Sequence, residues 1–167
     1  MIHSSTKQQH GFSLIEVLVT IVILSTGMLG IAALYVESLK SGQSALARTK
    51  AINLAADMAD RIRVNRAGEL SYVTNATDTL AAPASWCGAS VGVDAVDCTA
   101  DQMAAYDIWQ WKTALGNTSN GDFRKAGLAN ARGTITRNAA TNPTTITIEV
   151  QWSEKADDQS YELSFAL

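Results

Sequence analysis

Residues 10 to 24 read HGFSLIEVLVTIVIL, and they open an apolar run that extends to Val36. Glu16 is the only charged side chain between Phe12 and Val36. A carboxylate inside a membrane segment costs roughly 2.5–3.5 kcal/mol on insertion scales when it is left unpaired. The sequence therefore predicts that Glu16 needs a cationic partner.

The uncharged part of this run, Val17 to Val36, is 20 residues long. At about 1.5 Å per residue, a helix of this length crosses a hydrocarbon core about 30 Å thick. Two other interpretations fit the same residues: a secretory signal peptide cut near Ser25-Thr26-Gly27, and an ordinary single-span anchor with a tolerated glutamate. We expect a retained span with residues 1–11 on the cytoplasmic side, because the leader lacks a strongly basic start and the helical pattern continues to about Ala67.

The helical pattern beyond the apolar run is amphipathic. Apolar residues recur with the i, i+3, i+4 spacing of one helical face. They are Leu39, Leu46, Ala47, Ala51, Leu54, Ala55, Met58 and Ile62. The opposite face carries Lys40, Arg48, Lys50, Asp57, Asp60, Arg61 and Arg63. Asp57 and Arg61 are a favourable i,i+4 pair, and Gly68 is a stop signal, so we expect one helix from about Phe12 to Ala67.

The motif Gly11-Phe12-Ser13-Leu14-Ile15-Glu16 resembles the class III leader of type IV pilins and pseudopilins. The resemblance implies that an inner-membrane prepilin peptidase cuts between Gly11 and Phe12 and methylates the new amino group of Phe12. It also implies an assembly role for Glu16, the family's fifth-position glutamate. Its carboxylate would lie against the Phe12 ammonium of a neighbouring subunit, which removes the cost of an unpaired charge.

Residues 53–68, NLAADMADRIRVNRAG, resemble the corresponding stretch of the minor pilins called PilV. The resemblance implies an α+β type IV pilin fold, in which a long N-terminal helix, first transmembrane and then amphipathic, packs on a small antiparallel sheet. It divides the chain into a cleaved leader (1–11), a transmembrane and assembly helix (12–36), an amphipathic continuation (37–67) and a periplasmic head (68–167).

One position departs from the pattern of many major pilins, because Ala33 stands where they have a helix-kinking proline. Gly27 and Gly30 lie nearby and could be where the helix loosens in a fibre. The small pair Thr26 and Gly30 could equally serve close helix packing. The sequence leaves both readings open.

Composition argues against most catalytic and nucleic-acid functions. The only histidines, His3 and His10, lie in the leader, so the mature chain lacks the usual residue for general acid–base catalysis and for zinc motifs. The net charge of −3 becomes −4 when Lys7 leaves with the leader, and the head has no basic patch for nucleic acid. We therefore expect no enzyme activity, no metal and no cofactor.

Cys87 and Cys98 enclose ten residues and lack the CxxC spacing of redox sites. In an oxidising periplasm they most simply form one disulfide, and a redox or metal role is the rival reading. Closing a loop of this length contributes about 3 kcal/mol in the chain-entropy model.

The head is predicted to be loop-rich from Ser71 to Ala84 and to form a helix after Thr99-Ala100-Asp101-Gln102, a capping-box sequence. This helix would end at Gly116, with its buried side lined by Met103, Tyr106, Trp109 and Ile108.

Four tryptophans could form a ligand platform, although packing is the simpler role: Trp86, Trp109, Trp111 and Trp152. Three carboxylates could gather around calcium or simply be solvated: Asp94, Asp97 and Asp101.

The C-terminus alternates with period two over residues 145–152 and again over residues 160–167, which predicts two antiparallel strands. Residues 153–159 would join them as a loop, and Gly133 to Arg137 would add a third strand before a turn at Asn142-Pro143. We expect the apolar face of this sheet to pack on the Leu54–Met58–Ile62 stripe of the long helix.

Three functional classes follow from the resemblance. The first is a minor pilin that joins other minor pilins and the major pilin, primes fibre growth and sits at or near the tip. The second is a pseudopilin of a type II secretion system, and the third is a tip-located adhesive module. The implied partners are the prepilin peptidase, the inner-membrane assembly platform and its motor ATPase, and the membrane itself. The implied location is the inner membrane, single-pass with a periplasmic head, and then the surface fibre.

Overall fold

The computed structural model describes residues 11–78, 81–88, 96–116, 127–155 and 157–167. The chain divides into two units between Gln43 and Ser44. Helix α1 runs from Leu14 to Val64 and a 3-10 helix from Arg66 to Tyr72; the other elements are helix α2 (Ala100–Leu115) and strands β1 (Arg132–Asn138), β2 (Thr145–Glu154) and β3 (Asp157–Ala166). This is the α+β arrangement that the sequence predicts.

Helix α1 ends at Val64, three residues before the predicted end, and the chain tightens into the 3-10 helix. Asn65 fixes the change of geometry, because its side-chain amide donates to the carbonyl of Ala100 at 2.7 Å and to the hydroxyl of Tyr72 at 3.2 Å. Gly68 is not the stop signal itself. It allows close approach to α2, since a Cβ there would lie 2.6 Å from the oxygen of Ala100.

Helix α2 begins and ends as predicted. The hydroxyl of Thr99 accepts from the amide of Gln102, and the side chain of Gln102 accepts from the amide of Thr99, which completes a capping box. Gly116 ends the helix in the left-handed region, with φ of 88°. Tyr106 and Ile108 are buried as expected, whereas Met103 and Trp109 are only half-buried.

The sheet is antiparallel with the order β1-β2-β3. Ile148 of β2 lies opposite Ile135 of β1 and opposite Leu163 of β3, so the apolar positions of all three strands share one face. Thr74 adds an isolated bridge to β1, in which its backbone exchanges two hydrogen bonds with Ile135. The predicted third strand is thus confirmed and slightly longer than expected.

The β2–β3 hairpin is tighter than the predicted loop of residues 153–159. Both strands extend into that region, and Glu154 already lies opposite Asp157. The hydroxyl of Ser153 donates to Asp158 at 2.9 Å across the strands, and Lys155 takes a positive φ of 61° in the turn. Polar residues therefore continue both strands here, because their side chains form hydrogen bonds from one strand to the other.

The outer face of the sheet carries hydroxyl and charged side chains. The hydroxyls of Thr147 and Ser164 lie 2.8 Å apart, and Glu149 lies opposite Glu162. Within the described residues β3 pairs with β2 alone, so its other edge has no strand partner there. Asp158 and Glu162 place exposed carboxylates along this edge strand.

The core forms where the inner face of the sheet meets α2 and the part of α1 that follows Ser44. Met58 and Ile62 are fully buried with Ile146, Ile148 and Val150, and Leu54 packs at the margin. The predicted stripe of α1 is therefore the surface that the sheet covers.

Candidate functional site

The N-terminal candidate site lies at the start of α1. The carbonyl of Ser13 accepts from the amides of Glu16 and Val17 at 3.1 and 3.3 Å, so the helix starts immediately after the predicted cleavage point. Phe12 precedes the helix and is 84% exposed. Residues 1–10 of the predicted leader lie outside the described residues, and Gly11 is the first residue described.

Glu16 stands in the first turn of α1, where a negative charge complements the helix dipole. Its side chain is exposed, and no cation pairs with it within the described part of this chain. The structure thus places Phe12 and Glu16 at the same end of one helix, with the carboxylate available to a second molecule.

The surface around Glu16 is apolar and uncovered. Every residue from Gly11 to Val36 is exposed, and α1 is long and apolar enough to cross a membrane, with a mean hydropathy of 2.4 in its most apolar window. Its hydroxyls are satisfied within the helix: Thr20 donates to the carbonyl of Glu16 at 2.7 Å, and Ser25 to that of Val22 at 2.9 Å. The hydroxyls therefore add little cost to placing this surface in lipid.

The second candidate site is a polar network that ties α1 to α2. Arg61 donates to Asp107 at 2.9 Å, to Asp57 at 3.0 Å and to Gln110 at 2.8 Å. The hydroxyl of Tyr72 donates to the same Asp107 at 2.6 Å. Burial, followed by the hydrogen bond to Asp107, raises the pKa of Tyr72 above its ordinary value, so the phenol stays protonated. The network orients the two helices and contains no nucleophile poised for chemistry.

Lys112 is a buried cation on α2, only 1% exposed. Its ammonium donates to the carbonyl of Gly133 at 2.7 Å and to that of Asn75. Burial lowers the pKa of Lys112 to about 8, although the charge of Asp78 acts in the opposite direction. The lysine thereby joins α2 to β1 and to the segment that carries Thr74.

The cysteines and tryptophans stabilise the head. Cys87 and Cys98 form a disulfide with their Cα atoms 5.7 Å apart, which is the pairing expected from the sequence. Trp86 packs edge-on against Trp109, with ring centroids 5.2 Å apart. Trp111 is buried and its indole donates to the carbonyl of Leu54 at 2.9 Å. The four tryptophans therefore do not form a common platform, because Trp111 and Trp152 belong to the core.

The three carboxylates considered for calcium are used differently or fall outside the described residues. Asp97 is exposed, Asp101 accepts from the hydroxyl of Ser71 at 2.8 Å, and Asp94 lies outside the described residues. No group of three or more metal-ligating side chains occurs in the described ranges.

Asp107 and Lys112 are the site residues that the sequence did not reveal. The amphipathic pattern assigned Arg61 to a solvated face, and it offered no sign that a carboxylate on α2 would reach it. The only available signal was the spacing of Tyr106, Ile108 and Trp111, which brackets Asp107 with large apolar residues.

Comparison with known families agrees with this geometry. Residues 6–32 match the prokaryotic N-terminal methylation motif, and residues 33–109 match the family described as Type IV pilin Tt1218. Searches of curated proteins and of solved structures give no match. The two adjoining matches cover α1 and most of α2, and both point to the same class of protein, the type IV pilins and their relatives. Over residues 6–109 the chain is thus similar to the type IV pilins and pseudopilins.

Proposed function

We propose that this chain is a minor pilin of a type IV pilus. The prepilin peptidase cleaves it between Gly11 and Phe12 and methylates Phe12, and the mature chain then joins other minor pilins in a complex that primes assembly and sits at or near the tip. Residues 12–36 serve as the membrane and assembly helix, residues 37–67 carry its continuation, which ends at Val64, and residues 68–167 form the periplasmic head. The observation that carries the proposal is Glu16, a lone carboxylate on an uncovered apolar helix.

The mechanism follows from charge and exposure. Cleavage creates an ammonium at Phe12, four residues from Glu16 in the chain. In hydrocarbon, either charge alone is costly, whereas the ammonium of one subunit against the carboxylate of the next offsets most of that cost. A fibre register that pairs them is therefore favoured over registers that leave both unpaired, and the apolar surface of α1 packs against neighbours as the subunit leaves the bilayer.

The direct test is Glu16→Gln, with Glu37→Gln as its matched control. Both glutamates are exposed on α1, but Glu37 already lies 3.8 Å from Lys40 of the same chain. We expect Glu16→Gln to reduce the amount of this subunit in sheared fibres by at least about tenfold, the equivalent of 1.4 kcal/mol, while Glu37→Gln leaves it unchanged. Equal incorporation of both variants, measured by immunoblot against equal membrane levels, contradicts the pairing.

A clean deletion separates the minor pilin from the secretion pseudopilin, which shares the same leader and helix. We expect surface pili to vanish in the deletion and to return when the retraction motor is also removed. Pili that persist while an exported protein accumulates in the periplasm assign the chain to a type II secretion system. Normal piliation with lost adhesion, after replacement of the disulfide loop, assigns it to the adhesive class.

A further inference from the structure

The head contains a cavity that the polar network and the assembly segment do not use. Its volume is about 250 Å³, and the residues that line it include Val73, Pro83, Ala105, Ile108 and Asp78. The walls are mostly apolar, so one carboxylate is set among aliphatic groups. This combination favours a ligand with both an apolar body and a charged end.

Asp78 supplies a fixed negative charge in this cavity. Its carboxylate accepts from the amide of Asn75 at 2.6 Å and from the hydroxyl of Thr74 at 3.1 Å. The backbone hydrogen bond from Asn75 is the main cause that lowers the pKa of Asp78, so the group is ionised at neutral pH. Both donors are neutral, and no cation forms an ion pair with Asp78 among the residues that the structure describes.

Two further carboxylates and one cation lie around the cavity. Asp101 accepts from the hydroxyl of Ser71, a residue that lines the cavity, and so adds a second carboxylate nearby. Glu69 is already paired with Arg137 at 2.8 Å and contributes little field. Lys112 is the opposing cation, and its charge contributes to lowering the pKa of Asp78. Its ammonium is buried, however, and donates to the carbonyls of Asn75 and Gly133 and not to the carboxylate.

We propose that this cavity receives a lysine or arginine side chain from a neighbouring subunit of the fibre. The aliphatic stem packs on Val73, Pro83 and Ile108, and the cationic end pairs with Asp78. An apolar side chain would strip water from the carboxylate without compensation, and an anion would be repelled. The identity of the partner as a fibre subunit rests on the proposed function, whereas the chemistry of the cavity does not.

The first test uses the full chain in detergent micelles and small probes. We expect Nα-acetyl-arginine amide or Nα-acetyl-lysine amide to shift the backbone NMR signals of Val73 and Ala105, and Nα-acetyl-norleucine amide to leave them in place. Ala105→Leu fills the cavity and should weaken arginine-amide binding at least about tenfold. Ala140→Leu, at an exposed loop position, is the matched control and should bind like the wild type. Equal shifts from the norleucine probe overturn the proposal.

The second test locates the partner in assembled fibres. A photo-cross-linking amino acid at position 105 should capture a peptide of a neighbouring pilin that contains a lysine or arginine at the cross-linked segment. A captured peptide without either residue, or no capture from fibres that contain the subunit, overturns the proposal. The two proposals fail separately. If the arginine and lysine probes do not bind but Glu16→Gln loses incorporation, only the cavity assignment is overturned. If the probes bind but Glu16→Gln is incorporated normally, only the proposed pairing in the fibre is overturned.

Discussion

Asp107 is the residue on which the geometry of the head most depends, because it is shared by Arg61 and Tyr72. Its side chain is 9% exposed, and it accepts at 2.9 and 2.6 Å from two different elements. Removing it leaves a half-buried guanidinium with fewer acceptors and a buried phenol with no acceptor. The loss of unfolding free energy on such a change depends on the polar groups left without partners as well as on the lost contact.

We expect Asp107→Ala to lower the free energy of unfolding of the head by roughly 2–4 kcal/mol. Asp60→Ala is the matched control, because Asp60 is 74% exposed and pairs with Arg63 at 2.8 Å on the surface. Its loss should cost less than about 1 kcal/mol. Urea unfolding of the full chain in detergent, followed by tryptophan fluorescence, measures both, and equal losses would show that the network adds no more than a surface pair.

Lys112 makes the stability of the head depend on pH in an unusual direction. Burial lowers its pKa to about 8 from 10.5, so between these values the unfolded chain holds a proton that the folded chain has released. The free energy of unfolding therefore rises with pH in this window and is flat below it. Tyr72 acts oppositely above pH 10.0, where only the unfolded phenol loses its proton.

The free energy of unfolding should rise by about 1–2 kcal/mol between about pH 7 and pH 9.5. Lys112→Met should flatten this rise, even though it also removes donors from the carbonyls of Asn75 and Gly133. Lys40→Met, at a lysine 50% exposed on α1, should keep the wild-type slope. A slope that survives Lys112→Met would mean that another group titrates here.

The N-terminal motif is visible in the sequence itself, whereas the head network is not. Gly11, Phe12 and Glu16 form a local motif, so six adjacent letters contain the whole signal. Asp107 meets Arg61 across 46 positions, and Lys112 meets Gly133 across 21. Such contacts depend on how α2 is placed, and no periodicity in one segment specifies that placement.

At the scale of elements, the contact of α2 with β1 depends on a missing side chain. A Cβ at Gly133 would overlap the ring of Trp111 and lie 2.6 Å from a methyl carbon of Leu115. The ring also donates to the carbonyl of Leu54, so it has little freedom to move away. Glycine is therefore required here for close approach, and β1 accepts the weaker strand propensity that comes with it.

Gly133→Ala should lower the free energy of unfolding by roughly 1–3 kcal/mol through overpacking. Gly42→Ala is the control, because a Cβ there meets nothing within 4 Å and alanine favours a helix interior by up to about 1 kcal/mol. Gly133→Ala should thus lower the urea midpoint of the head, whereas Gly42→Ala, in the unit that ends at Gln43, should not lower it. An unchanged midpoint in Gly133→Ala would indicate that Trp111 can rearrange.

Elements with local start and stop signals were the ones that the sequence predicted well. The capping box at Thr99 and the glycine at Gly116 bound α2 as expected. The end of α1 and the β2–β3 turn were wrong by a few residues, for one reason. Asn65 and Ser153 are held by residues distant in sequence or across a strand, and such bonds override local preference.

At the scale of the whole molecule, processing should remove residues 1–11 and leave a methylated amino group at Phe12. Mass spectrometry of the protein extracted from cells with the prepilin peptidase should show a chain that begins at Phe12 and is heavier by one methyl group. Cells without the peptidase should retain residues 1–11. Gly11→Leu should block the cut and Gly30→Leu should not, and an uncleaved wild-type chain would rule out the proposed maturation.

The outer edge of β3 has a consequence if, as proposed, the chain is held in a membrane. Molecules confined to a bilayer collide far more often than free molecules, and an unprotected strand edge is a site of unwanted pairing. Asp158 and Glu162 make that edge repel its own copies, so we expect Asp158→Val with Glu162→Val to form membrane oligomers on native gels before any fibre appears. If the double variant stays monomeric, the two carboxylates do not prevent pairing of the edge. If the oligomers do form, two charges on one strand set how densely the subunit can accumulate in the membrane before assembly.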